Sequence, residues 1–139
     1  MFAEKLSLPL PDEPEVRTAL LCARQHLRDG KRHLQRGASV KGIAALHDAM
    51  IFAMRYYISK HRLCHEFVRN IDVDDATGLF YALVRAGVFD DPLVFNRLSL
   101  MVERALWQKG DAIDVEALLA QVEILLTKLD VVPFRAHSH

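Results

Sequence analysis

The chain has 139 residues, 51% of them hydrophobic and 26% charged, which is enough for one domain with a single core and excludes a disordered chain. Lysine and arginine together number 18, as do aspartate and glutamate, so the formal net charge is zero. This balance argues against a dedicated polyanion binder, whose footprint is a basic excess, so nucleic acid is not indicated as a partner. It also removes one barrier to self-association.

The composition predicts a cytoplasmic protein. No apolar run approaches the roughly 20 residues of a membrane span, and the N-terminal stretch MFAEKLSLPLPDEPE lacks the basic start and continuous apolar core of a signal peptide. The two cysteines, Cys22 and Cys64, fall on apolar helix faces. We expect both to be buried free thiols.

The first predicted elements are an extended arm and a helix. Residues 1–12 contain two prolines and alternating leucines, which favour an arm. A helix follows from about Pro14 to Gln35, with Gly30 marking either a weak point or the close approach of a second backbone. Its second half is basic, and we expect either a solvated face or an anion site there. The candidate binding residues of this surface are Arg28, Arg32 and Arg36.

The longest helical pattern runs from Ser39 to Val68, with Ser39 as its N-cap. Apolar residues cover most of its circumference at 3.6 residues per turn, and polar residues occupy only a narrow ribbon. A helix of this kind must be covered on several sides. The pattern therefore predicts the central helix of a bundle.

Three further helices complete the predicted fold, each bounded by an acidic cap, a glycine or a proline. Asp72 or Asp74 is expected to cap the third helix. No strand signal appears, so the sequence predicts an all-α, up-and-down bundle of about five helices around the long second one. The single domain spans residues 13–130, and residues 131–139 form a flexible tail. The three helices run from about Asp75 to Ala86, from Pro92 to Gln108, and from Asp114 to Leu129.

The leucine-rich faces of the first and fifth helices are wider than a lone bundle of this size is expected to hide. We therefore expect a two-fold homodimer built on a helix face. The sequence does not decide which face. Trp107, near the end of the fourth helix, is the candidate interface anchor.

One turn of the predicted central helix carries His61, Cys64 and His65, whose spacing places them on one face as metal ligands would be. A structural zinc site needs a fourth ligand, and a catalytic site needs an activated water with a general base. No HExxH or CxxC spacing supplies either. We therefore expect no metal and no cofactor, and these three residues are the only candidates for a zinc site.

Several stretches of the chain resemble the HEPN domains: a first helix rich in Arg, His and Leu, then AALHDAMIFAMRYYISKH, then LFYALVRAGVFDD leading into a further helix. The resemblance implies a small α-helical bundle, often dimeric and often paired with a minimal nucleotidyltransferase. Active members of that family are metal-independent ribonucleases with an arginine and a histidine four to six residues apart. Arg55 and His61 have this spacing, and the resemblance makes them the candidate catalytic pair.

The chain departs from the family pattern in ways that imply a non-catalytic member. Tyr56 follows Arg55 where the family usually has a polar residue, and the pair lies in the second helix. The stretch FNRLSLMVERALW, where the motif is expected, has no histidine after either arginine. On a continuous helix, Arg55 and His61 also point about 120° apart.

Three functions remain open from the sequence. The first is a non-catalytic, dimeric, HEPN-like binding module that pairs with another protein, such as a nucleotidyltransferase. The second is a metal-independent ribonuclease in which Arg55 and His61 converge on a phosphodiester. The third is a small-ligand or zinc-binding bundle.

Overall fold

The computed structural model describes residues 14–72, 74–108 and 115–132, and within these ranges it is an all-α bundle of five α-helices without a strand. A 3₁₀ helix, Arg62–Val68, follows the second α-helix. The predicted arm and most of the predicted tail lie outside the described residues. The α-helices are α1 (Pro14–Gln35), α2 (Ser39–Lys60), α3 (Ala76–Arg85), α4 (Val94–Gln108) and α5 (Val115–Lys128).

The first two helices form a tightly packed hairpin at two facing glycines. A Cβ atom added to Gly30 would lie 3.1 Å from the carbonyl oxygen of Gly42, and one added to Gly42 would lie 3.1 Å from that of Gly30. The hydrogen-only side chains thus let the two backbones touch. Of the two expectations for Gly30, the close approach of a second backbone is confirmed.

The prediction that α2 is central is confirmed, because it contacts each of the other four α-helices. Its buried residues face several directions. Ile43, Met50 and Met54 lie on one side and are at most 1% exposed, whereas Ala49 and Tyr56, 0% and 8% exposed, lie about a third of a turn away. This explains why the sequence of α2 is apolar around most of its circumference.

The predicted length of α2 is wrong. The α-helix ends at Lys60, and His61 adopts an extended conformation with φ −108° and ψ 105°. The chain then continues as the 3₁₀ helix, in which residues repeat every three positions. No glycine or proline lies at this break, which is why the apolar periodicity predicted one continuous helix to Val68.

Two predicted caps are also corrected. Ser39 is already the first residue of α2, and Ala38 before it makes no capping bond with its side chain. Asp75, rather than Asp72 or Asp74, caps α3, since its carboxylate accepts the N–H of Gly78 at 2.9 Å. Asp72 instead accepts the N–H of Asp74 at 2.9 Å.

The end of α5 is tied to α1. Arg24 donates through Nε to the carbonyl oxygen of Val131 at 3.0 Å, and Val131 itself is fully buried. Lys31 on α1 pairs with Glu123 on α5 at 2.6 Å. The packed chain therefore extends past residue 130, where the domain boundary was predicted.

Three stacked phenylalanines join α3 to α4. The ring of Phe80 lies 5.1 Å from that of Phe89 and 5.5 Å from that of Phe95, and all three side chains are buried.

Among the helices described, none combines the length and hydropathy that crossing a membrane requires.

Candidate functional site

The structure gives Arg55 and His61, the candidate ribonuclease pair, different acidic partners. Arg55 pairs with Asp74, in the turn before α3, with Nη2 3.2 Å from Oδ1. Its guanidinium also lies 5.6 Å from the centre of the Phe52 ring. His61 faces Asp130, beyond the end of α5, with Nε2 3.3 Å from Oδ2. The two side chains are thus held by carboxylates from opposite parts of the chain.

A cluster of titratable side chains surrounds the C-terminal end of α2. Lys60 and His61 share one oxygen of Asp130, each at 3.3 Å. The ring of His61 lies 4.1 Å from that of Tyr57, and the Lys60 ammonium lies 5.5 Å from the centre of the Tyr56 ring. Asp130 holds a left-handed φ of 64°, which Asp tolerates better than most residues. We call these five residues the α2-end cluster.

The pKa values of two residues in the α2-end cluster, Tyr57 and Lys60, are raised. Burial raises the pKa of Tyr57, and the neighbouring Cys64 and the Asp130 carboxylate add to this shift. For Lys60, burial alone lowers the pKa, but the bonds with Tyr56 and Asp130 more than offset it and leave the pKa above its ordinary value. Neither group is a base near neutral pH. The cluster acts chiefly as an ionic clasp between α2 and the end of α5.

The candidate zinc ligands are separated by the break in α2. His61 is the extended residue that follows α2, whereas Cys64 and His65 lie on the 3₁₀ helix, so the predicted common α-helical face does not exist. Among the described residues, no three His, Cys, Asp or Glu side chains are grouped so that they could hold a metal ion. Cys64 is 5% exposed, and burial raises the pKa of its thiol, which opposes the thiolate that a metal needs. The Nε2 of His65 is buried without a hydrogen-bond partner in the described part of the chain.

A third histidine, His47, is half-buried and contacts α4. Its Nε2 lies 3.3 Å from Oγ of Ser99, and its ring stacks 5.4 Å from that of Phe95. Burial lowers the pKa of His47, partly opposed by the nearby Asp48 carboxylate. The side chain thus favours its neutral form and joins α2 to α4.

The basic half of α1 is exposed but partly paired within its own helix. Arg28 donates to Oε1 of Gln25 at 2.8 Å, and Arg32 lies 3.5 Å from Asp29. Arg36 is exposed just beyond the end of the helix. These contacts fit the solvated face that the sequence offered as one of two interpretations.

Trp107 is 83% exposed on α4, and two leucines share its face. Leu93, in the turn before α4, and Leu100 are each 53% exposed. The three residues recur every seven positions, so they form one line along the side of α4 that faces away from the buried Phe95 and Leu98. We call this line the α4 outer row. Sequence analysis singled out only Trp107, although the seven-residue spacing was there to be found.

A groove of about 550 Å³ separates α5 from the turn before α4. Ile124, which is 58% exposed, lies on its α5 side, and Phe89 and Val94 lie on the other. Asp90 and Lys128 face each other at 3.9 Å and are both among its lining residues. Its volume falls in the range of small-molecule sites, and its walls are mostly apolar. Sequence analysis did not foresee it, because it is built by segments far apart in the chain.

Comparison of the chain with known protein families, with curated proteins and with solved structures finds no match. The candidate surfaces are therefore interpreted from their own geometry. The described chain presents an ionic clasp, a mostly apolar groove and an exposed apolar row.

Proposed function

We propose that this protein is a non-catalytic helical interaction module that works as a homodimer. The observation that carries the proposal is the set of large apolar side chains left in contact with solvent on the outer faces of α4 and α5. Leu100, Trp107 and Ile124 are all more than half exposed, although 51% of the chain is hydrophobic and the core is well filled. Exposed apolar surface of this kind is typical of sites that bind proteins.

The positions of Arg55 and His61 support the non-catalytic part of the proposal. General acid–base cleavage of RNA needs both side chains to reach one phosphodiester. Arg55 is instead paired with Asp74 and His61 with Asp130, so each carboxylate competes with a phosphate for its partner. The ribonuclease stays an alternative that one variant can test.

A second protein is the partner we propose for the assembled dimer. The groove beside α5 offers mostly apolar walls with two acidic residues, Asp90 and Asp91, and one basic residue, Lys128, among them, which suits side chains of a protein surface. The resemblance to HEPN domains makes a minimal nucleotidyltransferase the first partner to try. The proposal includes a cytoplasmic location, in keeping with the free cysteines Cys22 and Cys64.

Light scattering on the untagged full chain at micromolar concentration tests the proposal, together with an RNA-cleavage assay on the same sample. We expect a dimer, and we expect wild type and Arg55→Ala to show the same background level of cleavage. A monomer would remove the homodimer from the proposal. RNA cleavage that disappears in Arg55→Ala, with an unchanged circular dichroism spectrum, would replace the interaction module with the ribonuclease.

A further inference from the structure

The geometry points to the α4 outer row as the homodimer interface, with the two copies of α4 packed side by side in parallel. This inference rests on the proposed function, which requires a dimer but leaves its interface open. The row consists of Leu93, Leu100 and Trp107, exposed by 53%, 53% and 83%. Residues seven positions apart lie on nearly the same side of a helix, so a second copy of α4 can contact all three.

The row lies opposite the core-facing side of α4, so a second copy can reach it without displacing the bundle. Val94, Phe95 and Leu98 face inward and are each at most 4% exposed. At about 100° per residue, the centre of these three positions lies roughly 180° from the outer row. Covering the row would place Leu100 in the middle of an apolar contact and Trp107 at its C-terminal end, where the large indole ring adds apolar area.

Charges beside the row indicate a second copy of this chain as the occupant. Glu103 lies about 60° to one side of Leu100 and Arg104 about 40° to the other side, and both are exposed. The face thus carries an acidic flank and a basic flank at the same height along the helix. A copy of the same helix brings both charges needed to pair with it.

The same charges select the parallel arrangement. A two-fold axis along the helices places the acidic flank of one copy against the basic flank of the other, so that Glu103 meets Arg104 of the second copy twice. A two-fold axis across the helices places like flanks together, so Glu103 and Arg104 of different copies do not meet. Arg97, the other basic residue on that flank, is already paired with Asp91. Flanking charges of this kind contribute little affinity but decide orientation.

Among the residues that the structure describes, the other exposed apolar side chains do not form a comparable face. Leu21 on α1 is 62% exposed, but Arg17 and Gln25, one turn away on either side, are polar. Ile124 belongs to the groove rather than to a helix-long row. Leu21 therefore serves as the matched control, since its exposure is close to that of Leu100.

Sedimentation equilibrium of the full chain tests the interface. We expect wild type to be a dimer and Leu100→Glu to raise its dissociation constant at least about tenfold, while Leu21→Glu leaves it unchanged. Circular dichroism checks that both variants remain helical. A wild-type monomer would overturn both the homodimer and this interface. A dimer that tolerates Leu100→Glu would overturn only the interface and leave the proposed function standing.

Charge reversal tests the parallel orientation. Glu103→Arg and Arg104→Glu should each weaken the dimer by bringing like charges together, and the double variant should restore it. In an antiparallel pair, Glu103 and Arg104 of different copies would not meet, so the double variant would not recover the affinity that the single variants lose. A double variant that binds no more tightly than the single variants would therefore overturn the parallel arrangement.

Discussion

At the scale of single residues, the histidines show how differently one side-chain type behaves in this protein. His61 is half exposed and shares a carboxylate with a lysine, whereas His47 is packed against Phe95 and next to Ser99. Sequence analysis left core and functional roles open for the histidines of the central helix. The difference comes from which helix covers each position, and spacing alone does not decide that.

His47 gives the fold a dependence on pH. Burial lowers the pKa of folded His47 below its ordinary value of 6.5, so the unfolded chain binds a proton at a higher pH than the folded chain does. This difference in pKa stabilises the folded chain fully at pH values above 6.5, the ordinary pKa of the unfolded chain's histidine. The stabilisation is lost as the pH falls from there towards the lower pKa of folded His47. We expect the free energy of unfolding, measured with urea, to fall between about pH 7.5 and about pH 5.5.

A substitution that removes the imidazole isolates the contribution of His47 to this pH dependence. His47→Gln should show a smaller fall in the free energy of unfolding over the same pH interval, whatever its stability at neutral pH. Parallel curves for wild type and His47→Gln would contradict the assignment.

At the scale of elements, the α1–α2 hairpin depends on two glycines that let the helices touch. In an ordinary helix, replacing glycine with alanine stabilises by about 1 kcal/mol. At Gly30 the new Cβ would lie 2.8 Å from Cδ2 of Leu46 and 3.1 Å from the carbonyl oxygen of Gly42. Since that carbonyl belongs to a packed backbone, the two helices would have to shift by a few tenths of an ångström to admit the methyl group.

We therefore expect Gly30→Ala to lower the free energy of unfolding by about 1–3 kcal/mol, the usual range for overpacking. Urea denaturation measures this change. Thr18→Ala, an exposed position on the same helix, should change it by less than about 0.5 kcal/mol. A higher melting temperature for Gly30→Ala would show that the two backbones are not in contact.

At the scale of the whole molecule, we expect folding without a metal ion. In the part of the chain that the structure describes, no group of His, Cys, Asp and Glu is arranged for one, and the raised pKa of Cys64 disfavours its thiolate. Protein purified without a metal-binding tag should contain far less than one zinc per chain by elemental analysis. EDTA should leave its melting temperature unchanged. Stoichiometric zinc, with a melting temperature that falls on chelation, would return His61, Cys64 and His65 to the zinc hypothesis.

The all-α class, the number of helices and most of their ends follow from the sequence, because apolar periodicity, caps and glycines act within a few residues. Gly37 and Gly87, for example, end α1 and α3 with φ of 80° and 84°. The close approach at Gly30 was among the predicted possibilities for the same local reason. The role of α2 followed from its composition, since a helix apolar on most sides must be covered.

Only the tertiary structure decided the end of α2 and the makeup of the candidate sites. His61 meets Asp130 across 69 positions of sequence, and Arg55 meets Asp74 across 19, and no local pattern specifies such pairs. The α4 outer row has the same origin, because leucines on the two sides of a helix look alike until neighbouring helices cover one side. Burial and pairing depend on contacts between distant segments, whereas helix formation depends mainly on neighbours in the chain.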